Sequence, residues 1–256
     1  MIGNVTSAGV SIAYEVVGEG IPLTLLHPLF ETREFWRRSG YVDAFRKIGR
    51  RLVLIDASGH GESSKAHDKD AYALRPRADE VVTVLDDLSI ETTEMFGYSM
   101  GGWTALGLVC HHPDRVRRAA VGGAIPYAQD LQPLRDVVAE GPQGWVNFLA
   151  SMADDLPADM RERVLANDQL ALSASVAEDR PDISDRVAAS GIPLLFFAGA
   201  KDPRHARCKE FAETTGSKFV SVPGAHHIQT LLERDIVVRE VSSFLQGERS
   251  DMAERD

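Results

Sequence analysis

The pentapeptide Gly97-Tyr98-Ser99-Met100-Gly101, followed by Gly102, constrains this chain more than any other stretch. Before it, Glu94-Met95-Phe96 reads as the end of a short buried strand. After it, Trp103 to Cys110 has the apolar spacing of a helix, which His111-His112-Pro113 ends. Gly-x-Ser-x-Gly between a strand and a helix is the pattern of a nucleophile turn. So sharp a turn brings backbone against backbone and leaves no room for Cβ atoms beside the serine. The serine is held in a strained conformation, at about 1–3 kcal/mol. Its hydroxyl projects from the C-terminal edge of a sheet, at the positive end of the next helix. A glycine-rich connection with an incidental serine has the same letters, so the rest of the chain must decide.

The rest alternates strand and helix. Val10 to Val17 has the pattern of a half-buried strand and Gly18-Glu19-Gly20 that of a turn. Pro22-Leu23-Thr24-Leu25-Leu26 suits a strand buried on both faces. Thr32 is placed to cap a helix from Arg33 to about Ile48, and Arg51 to Asp56 is the next strand. Lys65 to Arg75 reads as an exposed loop, and Pro76 to Leu88 carries Val81, Val82, Leu85 and Leu88 at helical spacing. Beyond the serine, Arg117 to Gly123 supplies a strand. From Ala124 to Ala189 the rhythm breaks into helical pieces punctuated by Pro126, Pro133, Pro142, Pro157 and Pro181. It resumes with a strand over Ile192 to Gly199, a helix over Pro203 to Thr215, a strand over Lys218 to Val222 and a helix over Ile228 to Gln246. This order predicts an α/β fold: a mostly parallel central sheet covered by helices on both faces, with a helical cap inserted after the strand that follows the serine's helix. Residues 1–256 are expected to form one domain, with 124–189 as the cap and 247–256 as a frayed, charged tail.

Composition narrows the setting. A formal charge of −10 argues against nucleic acid or an anionic membrane as partner. Two cysteines, Cys110 and Cys208, fit a reduced, cytoplasmic protein without a disulfide framework. Met1-Ile2-Gly3-Asn4 opens no basic region followed by an apolar run, so no signal peptide is expected, and no apolar stretch is long enough to span a bilayer. His60, His111 and His112 lack metal-ligand spacing; neither a metal nor a cofactor is expected. Oligomeric state is not legible.

A serine hydroxyl is a poor nucleophile until a base accepts its proton, and that base is usually a histidine oriented by a carboxylate. Two later strands end in candidates. Asp202 follows one, in Ala198-Gly199-Ala200-Lys201-Asp202-Pro203; His226 and His227 follow the last, in Val222-Pro223-Gly224-Ala225-His226-His227. Asp130, in the inserted region, is a weaker second acid. The chain order Ser, Asp, His is that of the α/β-hydrolase arrangement.

From about Val10 to Leu245 the chain resembles a small, single-domain, esterase-like α/β-hydrolase. Asp56-Ala57-Ser58-Gly59-His60-Gly61-Glu62-Ser63 is similar to that family's Asp-x-x-Gly-x-Gly-x-Ser loop, Gly199-Ala200-Lys201-Asp202 to its acid loop and Pro223-Gly224-Ala225-His226-His227 to its histidine loop. The loop pattern Pro-Gly-x-x-His falls on His227, leaving His226 as a loop or substrate-facing residue. The resemblance implies Ser99 as nucleophile, His227 as base and Asp202 as its orienting acid. It further implies an oxyanion hole from the amides of Met100 and Leu29, the latter because His27-Pro28-Leu29-Phe30 resembles the family's His-Gly-x-x. Here Pro28 replaces the glycine; having no N–H it cannot donate, and it stiffens the loop that presents Leu29.

The function so implied is hydrolysis of a carboxylic ester, lactone or related acyl compound through an acyl-enzyme, on a small apolar substrate. A serine nucleophile disfavours dehalogenase or epoxide-opening chemistry, which in this fold begins with aspartate. A cofactor-free haloperoxidase-like or aminopeptidase activity, or a non-enzymatic ligand receptor, shares the same residues. Phe30, Tyr98, Met100, Trp145, Phe148 and Met152 are candidates for an apolar pocket, with core packing the default, and Asp154, Asp155 and Asp159 for a solvated helix face.

Overall fold

Leucine, valine and isoleucine alternate between two cores along the central strands, and this alternation builds the molecule. In β4 (Arg50–Ile55), Leu52 and Leu54 point to one side of the sheet and Val53 and Ile55 to the other. The computed structural model describes residues 1–151 and 158–247. Met152, Asp154, Asp155 and the tail beyond Gly247 lie outside the described residues.

The other strands are β1 (Ile2–Ser7), β2 (Val10–Val17), β3 (Ile21–Leu26), β5 (Thr93–Tyr98), β6 (Val116–Gly122), β7 (Leu194–Gly199) and β8 (Lys218–Val222). They form one eight-stranded sheet in the order β1-β2-β4-β3-β5-β6-β7-β8. β2 is antiparallel to both neighbours, and all pairs from β4 to β8 are parallel. The carboxyl ends of β3, β5, β7 and β8 therefore share one edge, where ligands of open α/β sheets bind.

The helices in chain order are α1 (Phe35–Arg38), α2 (Tyr41–Lys47), α3 (Leu74–Asp87), α4 (Met100–His111), α5 (Gln132–Ala139), α6 (Pro142–Ser151), α7 (Ala158–Leu165), α8 (Gln169–Ser175), α9 (Ser184–Ala189), α10 (His205–Thr215), α11 (His227–Leu232) and α12 (Arg234–Gln246). α3, α4 and α10 bury one face of the sheet with Val84, Leu106 and Phe211; α1, α2 and α12 bury the other with Trp36, Phe45 and Val241.

The structure differs from the sequence expectation at several points. The helix expected over Arg33 to Ile48 is two, α1 and α2, because Gly40 adopts φ +75° between them. The final helix is likewise two, α11 and α12, meeting at Glu233. β1 was not anticipated. Within the expected loop Lys65–Arg75, Lys69–Tyr72 winds into a 3₁₀ turn that buries Tyr72.

After β6 the helical insert leaves and re-enters the body through a paired neck, where Gln129 and Arg180 exchange both backbone hydrogen bonds at 3.0 Å. α5 to α8 lie beyond the neck around a small core of Trp145, Leu149, Val164 and Leu172. α9 falls on the body side, its Val187 buried in the core with α4, so the insert closes before Ala189.

Candidate active site

Ser99 joins β5 to α4 with φ 54° and ψ −110°, a conformation that non-glycine residues adopt only under constraint. The constraint is tight packing. A Cβ on Gly101 would run into the Leu26 carbonyl, so the first turn of α4 can lie directly on the end of β3 only with glycine there. The Ser99 amide donates to Gly122 O at 2.8 Å and its carbonyl accepts from Trp103 at 2.9 Å, fixing the turn to β6 and to its own helix.

His227 begins α11, five residues past β8, and its Nε2 lies 3.0 Å from Ser99 Oγ. Its Nδ1 lies 2.6 Å from Asp202 Oδ2, three residues past β7. Asp202 is 4% exposed. Burial alone would raise its pKa, but the hydrogen bond and charge of His227 and the Arg204 amide on Oδ1, at 2.9 Å, outweigh it and hold the carboxyl below its ordinary value. An ionised Asp202 accepts from Nδ1–H, which leaves the Nε2 lone pair facing the serine hydroxyl. Tyr98, the residue before the serine, donates its hydroxyl to the His227 carbonyl and packs its ring 5.2 Å from the imidazole.

The amides of Met100 and Leu29 both lack a hydrogen-bond acceptor among the described residues. Met100 opens α4, whose first-turn N–H groups point out of the helix. Leu29 is held less directly. His27, 1% exposed, receives the Ala57 N–H on Nε2 at 3.1 Å, so its proton sits on Nδ1 and is donated to Pro28 O at 2.9 Å. Burial keeps the ring neutral by lowering its pKa. In a trans peptide the carbonyl and the next N–H point opposite ways, so anchoring Pro28 O aims the Leu29 N–H away from His27. Phe30 follows with φ +71°, rare for a bulky residue, closing a turn in which the Glu31 amide donates to Pro28 O at 3.2 Å.

A cavity of about 130 Å³ opens over Ser99 and His227. Its walls are apolar: Leu29 and Phe30 from the body, Leu134, Trp145, Phe148 and Met160 from the insert. Phe30 meets Trp145 edge-on at 4.6 Å between ring centres. Two charged side chains, Glu31 and Arg204, also reach the wall. Buried Glu31 is held by Arg38 at 2.6 Å and Arg163 at 3.4 Å.

Other expected residues lie elsewhere. His226 caps α11, its amide donating to Gln229 Oε1 at 3.1 Å, and its exposed ring is absent from the cavity wall. Asp130 is an exposed residue of the insert, 3.6 Å from Arg135. His60 is buried in the loop after β4, and His112 pairs with Asp79 at 2.6 Å. Asp159 is exposed and pairs with Arg163. In the Asp56–Ser63 loop, Asp56 accepts from the Arg33 and Glu62 amides at 2.7 and 2.9 Å, and Ser63 Oγ accepts from Ala13. That loop braces the sheet edge without reaching the cavity. Sequence reasoning missed the anchoring role of His27, the Tyr98 contact and Arg204; only Arg204, two residues past Asp202, carried a positional signal. Among the described residues no group of three or more His, Cys, Asp or Glu is placed to hold a metal, and no helix is long and apolar enough to cross a membrane.

The family described as alpha/beta hydrolase fold matches residues 21–153. A putative 2-succinyl-6-hydroxy-2,4-cyclohexadiene-1-carboxylate synthase of Bacillus subtilis is 24% identical over 91% of this chain and 95% of its own. A 2-hydroxymuconate semialdehyde hydrolase of Pseudomonas sp. strain CF600 is 30% identical over 72% of this chain, which spans 64% of that protein. Among solved structures, the enol-lactonase from Burkholderia xenovorans superposes with a TM-score of 0.84 at 22% identity, over 95% of this chain and 100% of the other, a likeness of fold.

Proposed function

The chain belongs to the α/β-hydrolase fold family, and on that premise we propose that it is a serine hydrolase cleaving a small carboxylic ester, lactone or related acyl compound. The observation that carries this reading is the continuous hydrogen-bonded line Ser99 Oγ, His227 Nε2, His227 Nδ1, Asp202 Oδ2, at 3.0 and 2.6 Å.

In the proposed mechanism Ser99 Oγ attacks the acyl carbon as His227 Nε2 takes its proton. Asp202 stabilises the imidazolium through Nδ1–H. The carbonyl oxygen, now an alkoxide, is received by the Leu29 and Met100 amides, each worth about 2.7–4 kcal/mol to the transition state in such a site. Collapse breaks the bond to the leaving oxygen, which takes the proton from His227 and leaves an acyl-Ser99. Water, deprotonated by His227, repeats the cycle and releases the acid. The apolar walls favour an acyl or alcohol part without many polar groups.

The test is a fluorophosphonate probe followed by intact-mass measurement, with a panel of short esters and lactones. A single adduct on Ser99 and turnover of the panel are expected; Ser99→Ala abolishes both while its melting temperature is kept. A receptor on the same fold would bind panel members without turnover, and that result overturns the reading.

A further inference from the structure

We infer that the cavity selects acyl substrates bearing a carboxylate, and that the Arg204 guanidinium is the group that receives it. This rests on the acyl-transfer reading above and narrows it to a substrate class.

The two charged side chains of the wall differ in what they have left to offer. Glu31 has an arginine on each carboxylate oxygen, Arg38 on Oε2 and Arg163 on Oε1, and so has little to give a ligand. Arg204 is the opposite case. Its guanidinium has one carboxylate within 4 Å, Asp202 Oδ1 at 3.7 Å, beyond hydrogen-bond length. That oxygen already accepts from the Arg204 backbone amide at 2.9 Å, and the other faces His227. Among the described residues the guanidinium makes no hydrogen bond; the side chain is 30% exposed, and Arg204 lines the cavity together with Ser99 and His227. Five N–H donors in a planar fork match a carboxylate in two-point geometry.

A second cation reinforces the first. Arg180, at the neck of the insert, lies over the Trp103 ring at 5.1 Å and donates to Gln129 Oε1 at 2.9 Å; among the described residues no carboxylate pairs with it. Burial, and then repulsion from Arg204 and Arg77, push its pKa down to about 9. Two guanidiniums thus repel one another, one of them, Arg204, at the cavity wall, in a chain whose formal charge is −10. A bound anion relieves that repulsion, and a low-dielectric wall strengthens the attraction. The cavity also bounds the ligand's length. A pocket of about 150 Å³ takes a benzene-sized molecule, so an acyl chain of roughly four to six carbons ending in a carboxylate fits a space of about 130 Å³.

The experiment compares monoethyl glutarate with ethyl pentanoate, in which a methyl replaces the carboxylate, by pH-stat at neutral pH. Wild type is expected to favour the glutarate ester in kcat/KM, and Arg204→Gln to cut that preference by about tenfold or more, mainly through KM, the range for a charged hydrogen bond. Arg204→Lys, which keeps the charge without the fork, should fall between. Added salt should erode the wild-type preference, a readout that needs no variant to fold. Hydrolysis of both esters with no preference for glutarate, or a preference unchanged in Arg204→Gln, overturns the inference and leaves the hydrolase reading standing. Failure of both esters together with no fluorophosphonate adduct on Ser99 overturns that reading, and the inference with it.

Discussion

Two walls meet over Ser99, and they are held by different means. On the body side, all six residues of β5 are buried and hydrogen-bonded strands flank it on both edges. On the insert side, α5 has no buried residue and α7 only Val164, so that wall rests on a few large side chains around Trp145. A sheet ladder fixes atoms in place, whereas a small satellite core fixes only a surface. We propose from this difference that the sheet edge sets rate and the insert sets acyl chain length, with Arg204 reading charge from the body side. Each expected outcome below either breaks that division or sharpens it.

The largest effect belongs to the edge. His227→Ala should lower kcat by about 10⁴-fold or more, because the members of such a unit fail together. His226→Ala, one residue away but turned outward as a helix cap, should lower it only a few-fold. Steady-state kinetics on one short ester decides; the reverse ranking removes the edge's claim on the chemistry. Next comes His27, which touches no substrate and acts through Pro28. His27→Leu should cut kcat by about 10- to 100-fold, a partial loss of one oxyanion donor. KM should move little, and His27→Gln, which retains a donor for Pro28 O, should recover part of the rate. Equal damage to kcat and KM in both variants would make His27 a packing residue only.

The strand ends on which this division rests were legible in the sequence. Turn chemistry at strand ends marked Ser99, Asp202 and His227, because glycine, proline and a functional residue must coincide where a parallel strand stops. The edge strand β1 was hidden, since Gly3 and Asn4 interrupt its alternation and pairing with β2 supplies what propensity does not. The breaks between α1 and α2, and between α11 and α12, were masked by an apolar spacing that runs on through them. His27 was invisible as an anchor for a different reason. Its tautomer is set by Ala57, 30 residues later in the chain, and no local pattern encodes that contact. The register of the Pro28–Glu31 turn, with a phenylalanine at positive φ, was equally unforeseeable from composition.

Behind the oxyanion loop the body holds a titrating group, and its pH dependence tests how rigid that side is. Glu80, 5% exposed, accepts from Ser58 Oγ, and burial, only partly offset by Ser58 and Arg77, raises its pKa from 4.5 to about 7. The folded chain therefore keeps a proton that the unfolded chain releases between these values. The stability this contributes is whole below about pH 4.5 and is lost as pH rises through 7, by up to about 3 kcal/mol. Urea unfolding of wild type and Glu80→Gln at pH 5 and pH 8 isolates the site, since the glutamine does not titrate. Wild type should lose stability relative to the variant on going to pH 8, because at pH 5 its folded Glu80 is neutral like the glutamine and at pH 8 it must ionise in a buried site. A constant difference between the two proteins would mean that Glu80 ionises freely and that this part of the body is open to water.

The smallest expected effect, a few-fold change in selectivity at Phe148, lies on the other wall, where it is read against a larger stability effect at the neighbouring aromatic of α6, Trp145. Trp145 is fully buried at the centre of the insert's core, between Phe30 and Phe148, whereas Phe148 is half-buried at the cavity. Trp145→Ala should therefore act mainly on stability, costing about 3–5 kcal/mol as large aromatics do when truncated in a core. Phe148→Ala should cost less stability and enlarge the cavity beside the acyl chain. Each methylene accommodated in an apolar pocket changes relative rates by a modest factor, so a few-fold shift toward longer acyl esters is expected. Reaction of Ser99 with a small organophosphate, which does not reach that wall, should stay close to wild type in Phe148→Ala. Chain-length rates, a melting curve and the organophosphate rate read the three quantities separately. If Phe148→Ala instead slows all esters and the organophosphate alike, the insert helps to hold the catalytic groups, and the assignment of rate to one wall and choice to the other fails.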